Sequence, residues 1–160
     1  MTAELTVAGH RRNSRQGHTG TVSSMPDLRD RIEGIFTRAP FMELLGVRLL
    51  DVGEGWVETE LTISEQLRQQ HGFAHAGVVS TLADHSAGAA ATTAIEDGRS
   101  VLTADYTIHL LRPGAGSILK SRGEVVRAGR TLIVAQADVW ADGKHCARYT
   151  GTMAVGDRPV

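Results

Sequence analysis

Residues 76–95 read AGVVSTLADHSAGAAATTAI, and this stretch decides the fold. Alanine recurs through it beside Val78, Val79 and Leu82, so a helix is favoured. It is apolar nearly all round, which calls for burial on most sides. Gly88 and the run Ala89-Ala90-Ala91 offer a surface that a sheet can approach closely. Glu96-Asp97-Gly98 ends the helix.

Beyond this helix the apolar period changes from helical to two. From Ser100 onward, residues 101–111, 118–127, 131–141 and 144–155 read as four long antiparallel strands. Pro113-Gly114, Ala128-Gly129 and Asp142-Gly143 are the expected turns, the last a strong hairpin signal. Upstream, Leu28, Ile32, Ile35 and Phe36 fall on one helical face, entered at Pro26 and ended by Pro40. Phe41 to Leu45 predicts a short helix closed by Gly46. Residues 47–52 and 56–63 predict a hairpin around Gly53-Glu54-Gly55. One long buried helix among many antiparallel strands predicts an α+β fold whose sheet curls around the helix.

The composition bounds the function. The chain has 160 residues, enough for one ordinary domain. With 17 Lys+Arg against 18 Asp+Glu, no basic excess points to nucleic acid or an anionic membrane as partner. No apolar run approaches the ~20 residues of a membrane span. The single Cys146 rules out an internal disulfide and a cysteine-based metal cluster, and fits a reducing, cytoplasmic compartment. Aromatic residues are only 4%, so the core must close through small and aliphatic side chains. Residues 1–24 are polar apart from a few aliphatic positions and carry Arg11, Arg12 and Arg15. They read as a disordered, dispensable tail, with the folded domain spanning 25–160.

Asp84 is the informative residue. It is the sole acid between Gln66 and Ile95, midway along a helix that otherwise reads as core. A buried carboxylate without partners costs several kcal/mol, so Asp84 is expected in a cleft, as base or nucleophile. Just before the helix, residues 69–77 read QQHGFAHAG. Gly72 and Gly77 suit a tight loop and close approach of a ligand. The helix start offers free N–H groups to a carbonyl oxygen that becomes an oxyanion. Asp84 lies nine residues after His75, or ~13 Å along a helix axis. These two therefore cooperate only across a dimer or through a bridging substrate. His71, His75 and His85 form no convincing metal pattern.

The pattern resembles the hotdog-fold thioesterases, specifically the phenylacetate-pathway type of acyl-CoA thioesterase. That family carries Asn-x-x-Gly-x-x-His-Gly-Gly, then an Asp on the central helix nine residues after the His. Gly72 matches the first glycine, and His75-Ala76-Gly77 stands where His-Gly-Gly is usual. STLAD, ending at Asp84, matches the segment that delivers the acid, and Thr103 to Pro113 the strand ending in Arg-Pro. The likeness covers about residues 40–156. Gln69 takes the asparagine's place with Gln70 beside it, and glutamine offers the same amide from a longer arm. Ala76 replaces a glycine but keeps the backbone N–H.

The resemblance implies hydrolysis of an acyl-CoA thioester to free acid and CoA, without a cofactor, by a homodimer or dimer of dimers. Asp84 would be general base or nucleophile, and the Ala76 N–H would polarise the thioester carbonyl. Gln69 or Gln70, from the opposite subunit, would hold that carbonyl or a water. Thr103 would orient the water, while His75, Gly72 and Gly77 would shape the substrate loop. Two other readings stay open: a hotdog dehydratase using His71 or His75, and an acyl-CoA-binding sensor or inactive homologue. A buried carboxylate is hard to explain in a pure binder.

Overall fold

The computed structural model describes residues 25–157. The expected tail, residues 1–24, lies outside the described residues. The order of elements is α1 (Met25–Thr37), α2 (Pro40–Leu45), β1 (Arg48–Gly53), β2 (Trp56–Thr62), α3 (Ala76–Thr93), β3 (Arg99–Leu110), β4 (Ile118–Ala128), β5 (Leu132–Ala141) and β6 (Lys144–Asp157). Gly46 ends α2 in the left-handed conformation, φ 71°. The Asp142-Gly143 turn has positive φ at both residues, 44° and 78°, as a tight hairpin between β5 and β6 requires.

All six strands form one antiparallel sheet in the order β1-β2-β4-β5-β6-β3. The four-strand run expected after α3 is therefore not sequential in space. β3 pairs with β6 at the sheet edge, and the chain then crosses to β4 beside β2. Pro113-Gly114 belongs to that crossover rather than to a hairpin turn. Asp142 anchors its far end, accepting from the backbone N–H groups of Ser117 at 3.1 Å and Ile118 at 2.9 Å.

The sheet curls around α3, which packs on β2, β4 and β5. Val79, Leu82, Ala83, Ala87, Ala90 and Ala91 are buried on the helix, facing Val57, Leu61, Leu119, Ile133 and Val139. The close approach of helix and sheet is real, but its glycine is not Gly88. A Cβ on Gly123 of β4 would lie 2.2 Å from the Ser86 carbonyl oxygen, so no side chain fits there. A Cβ on Gly88 would meet nothing within 4 Å. Beside Gly123, the hydroxyls of Thr59 and Ser86 share a buried hydrogen bond of 2.7 Å, while the buried hydroxyl of Ser121, across from Thr59, has no partner among the described residues. α1 lays Leu28, Ile32 and Phe36 over the far end of α3 and β1. Arg31 ties it there through the Ile95 carbonyl at 3.0 Å and Asp97 at 3.0 Å.

Candidate active site

The central helix carries Asp84 to a half-buried position under the inner face of β3 and β6. Its carboxylate is not isolated. Oδ1 accepts from the Tyr149 hydroxyl at 2.6 Å and from the Thr103 hydroxyl at 2.9 Å. Both donors converge on one oxygen, and no described residue bonds Oδ2. The arrangement fixes the carboxylate's orientation and leaves one oxygen for chemistry. Thr103 sits at a β-bulge between Thr103 and Asp105, a device that re-aims a side chain.

Tyr149 is fully buried on β6 and stacks on Tyr106 with ring centroids 5.2 Å apart. Burial pushes its phenol well above the usual range, and the Asp84 carboxylate adds to the shift, so it stays a proton donor. Gly151 makes room for it: a Cβ there would lie 2.3 Å from the Tyr149 oxygen. The next helix residue, His85, packs edge-on against Phe36, with centroids 4.5 Å apart. Burial lowers its pKa, only partly offset by Asp84, so the imidazole is neutral. Its Nε2 is buried with no hydrogen-bond partner among the described residues. Asp84, Thr103 and Gly88 line a cavity of about 240 Å³, walled by Ile35, Val101 and Leu102.

The loop before α3 is built by backbone bonds. Gln69 N–H donates to the Phe73 carbonyl at 2.8 Å, and Gly72 N–H to the Gln69 carbonyl at 2.9 Å, with Gly72 at φ 80°. The Arg68 guanidinium clasps this turn. It donates to the carbonyls of Gly72 at 2.6 Å, Ile63 at 3.1 Å and Gly116 at 3.2 Å. The Gln69 side chain turns back to accept from His71 N–H. His75 then caps α3, its Nδ1 accepting from Gly77 N–H at 3.0 Å. The N–H groups of Val78 and Val79 close onto the His75 carbonyl. That leaves the Ala76 N–H as the first-turn donor free for a ligand.

Gln69 and Ala76 line a second, larger groove of about 530 Å³ with Phe73, Leu111, Arg112 and Pro113. Gln70 is exposed and lines neither space. The two spaces share no residue. Asp84 and Thr103 thus come together, and Gln69 and Ala76 come together, but one chain does not join the pairs. Eight residues of helix separate Ala76 from Asp84, or ~12 Å.

Three contributors escape a reading of the sequence: Tyr149, Arg68 and Arg112. Tyr149 is one of only two tyrosines and sits two residues before Gly151, which was a usable signal. Nothing local marks Arg68, because its acceptors lie on distant segments. Among the described residues, no group of three or more His, Cys, Asp or Glu side chains is placed to hold a metal ion. No described helix is long and apolar enough to cross a membrane.

A six-stranded antiparallel sheet curled around one central helix is the hotdog fold. The sequence profile of the thioesterase superfamily matches residues 71–147. A crystal structure of a thioesterase family protein from Silicibacter pomeroyi is 37% identical, covers 82% of this chain and 99% of its own, and superposes with a TM-score of 0.79. The chain belongs to the thioesterase superfamily. The 1,4-dihydroxy-2-naphthoyl-CoA hydrolase of Listeria monocytogenes is 25% identical over 92 residues, 58% of this chain and 75% of that protein. The E. coli PaaI protein from the phenylacetic acid degradation operon shares the fold, with a TM-score of 0.75 at 22% identity, over 82% of this chain and 95% of its own.

Proposed function

We propose that this enzyme hydrolyses acyl-CoA thioesters at sites shared between two protomers. Asp84 and Thr103 come from one protomer, and the Gln69–Gly77 loop from its partner. The observation that carries this reading is the held Oδ1 and unengaged Oδ2 of Asp84, set apart from an equally unengaged helix-start N–H at Ala76.

A two-fold partner brings the halves together. β3 is a 12-residue edge strand, and Leu102 (67% exposed) and Leu110 (53%) lie bare along it. A long edge with exposed apolar side chains calls for a cover. A second copy pairing edge to edge supplies one, and the isologous contact makes two equal sites. A dimer of dimers repeats the same pair.

In the reaction, Asp84 Oδ2 takes a proton from water as the hydroxide oxygen adds to the thioester carbon. The carbonyl oxygen becomes an oxyanion facing the Ala76 N–H, at the positive end of α3. Thr103, already fixed on Oδ1, stands beside the attacking water. Collapse breaks the carbon–sulfur bond, and the proton on Asp84 passes to the departing CoA thiolate. Direct attack by Oδ2 is the alternative route: an acyl anhydride forms as CoA leaves, and water then cleaves it. Arg112 places a positive charge in the groove beside Gln69, suited to a CoA phosphate.

The test is CoA release from a panel of acyl-CoAs, with Asp84→Asn beside the wild type. Loss of about 10²–10⁴-fold in kcat in a folded Asp84→Asn protein is the expected result. Near-wild-type turnover in that variant removes Asp84 from the chemistry.

A further inference from the structure

Two glycines mark the meeting of α3 with its surroundings, and only one has a packing reason. Gly123 admits no Cβ because the Ser86 backbone is in the way. Gly88 is in the middle of an 18-residue helix, where glycine is less stable than alanine. Nothing within 4 Å would touch a Cβ there, its φ is not positive, and three alanines follow it directly. The fold therefore gains nothing from the missing side chain.

The cavity does. Gly88 lies one turn after Asp84, on the same stripe of the helix, and both line the space of about 240 Å³. Ile35 of α1, Ala89 of α3 and Val101 and Leu102 of β3 wall it with aliphatic carbon, and the neutral imidazole of His85, packed on Phe36, completes the lining. Thr92, one turn further on, directs its hydroxyl to the Gly88 carbonyl at 2.9 Å, so it offers no free proton to a ligand. The volume falls below the ~300–1,000 Å³ of ordinary small-molecule pockets. A compact apolar group fits such a space, and a long chain does not.

We infer that Gly88 is a specificity-determining residue: its bare backbone holds open the floor beside Asp84 for an acyl group whose bulk lies next to the carbonyl. This rests on the acyl-CoA reading above. An acyl group with a ring or branch at its first carbons fills the space over Gly88, whereas acetyl leaves it empty.

The experiment compares kcat/KM for benzoyl-CoA and acetyl-CoA in the wild type, Gly88→Ala and Gly88→Val. Added carbon at 88 should lower the benzoyl-to-acetyl ratio several-fold in Gly88→Ala and at least about tenfold in Gly88→Val. Gly88→Ala should also melt about 2–4 °C higher than the wild type, since alanine suits the helix and clashes with nothing. That variant keeps the test alive if valine hinders folding. An unchanged ratio in folded variants that still release CoA overturns the role of Gly88 and leaves the proposed function standing. Release of CoA by the wild type from other acyl-CoAs of the panel but from neither of these overturns the role of Gly88 alone, and release from none of the panel overturns the two together.

Discussion

The Tyr149 hydroxyl donates to Asp84 Oδ1 at 2.6 Å, although 65 residues separate the two in the chain. Tyr149 is fully buried, so its hydroxyl has no water to turn to. The energetics of the site therefore differ from those of a lone buried acid. Removing an unpaired carboxylate would relieve the fold, but removing this one takes the charged acceptor from a buried donor and leaves it only the Thr103 hydroxyl.

Asp84→Asn keeps an acceptor oxygen in place and should unfold within about 0.5 kcal/mol of the wild type, since the geometry of the contact survives. Asp84→Ala leaves the phenol with only the neighbouring Thr103 hydroxyl and should lose about 1–3 kcal/mol. Urea unfolding midpoints measure both. Adding Tyr149→Phe to Asp84→Ala should restore part of the loss. Equal stability of the alanine and asparagine variants would mean that the hydroxyl finds another partner.

Gln69 and Gln70 are neighbours that the sequence does not separate, and the structure does. Gln69 lines the groove with Ala76, while Gln70 is exposed outside it. Gln69→Ala should lower kcat by about 10²-fold, the scale of one lost polar contact to the reacting carbonyl. Gln70→Ala should stay within a factor of about three, as an exposed side chain remote from the groove. A loss carried by Gln70→Ala instead would show that the loop reorders when substrate binds.

The switch of apolar period at Ser100, and the apolar girth of α3, made a sheet curled around one buried helix readable from residues alone, and the family resemblance identified it as a hotdog fold. The lone acid in that helix pointed to a cleft, and Asp84 does line a cavity. The neighbours of β3 were not readable, because a strand's own pattern does not say which edge it joins. The crossover through residues 111–117 decides that, and its anchor is Asp142, which reads locally as a hairpin residue. The close approach read at Gly88 falls at Gly123 for a similar reason. A glycine in a pattern says that room is needed, not which side needs it. Tyr149 was hidden because alternation on β6 marks it as core, and its partner lies on another element.

His85 gives the fold a dependence on pH. Burial lowers its pKa below that of a free imidazole, so the unfolded chain binds this proton more readily than the folded one. Stability therefore falls as pH drops below about 6.5, with a limiting slope of about 1.4 kcal/mol per pH unit for one proton. Above that range the side chain is neutral in both states and contributes no slope. His85→Gln cannot charge, so its melting temperature should fall less steeply between pH 6.5 and 5 than that of the wild type. Parallel curves would show that His85 takes up its proton without leaving its place against Phe36.

The sharing of sites between protomers can be tested through Ala76 and Asp84 together. Ala76 is the first residue of α3, a position where proline is well accommodated because its N–H has no partner within the helix. Proline also requires an extended residue before it, and His75 already has φ −61° and ψ 139°. Ala76→Pro thus deletes the candidate oxyanion donor while sparing the backbone, and should lower kcat by about 10²–10³-fold. Asp84→Asn should lose activity for a different reason, the loss of the proposed base. In a mixed dimer, the asparagine chain lends an intact loop to the intact Asp84 of the proline chain. One site in two is then whole, and random exchange should return roughly a quarter of wild-type activity from two inactive parents. Native mass spectrometry verifies the exchange. If mixed dimers form and no activity returns, each site is built within one chain, and the loop must reach its own Asp84 by a rearrangement of the helix start.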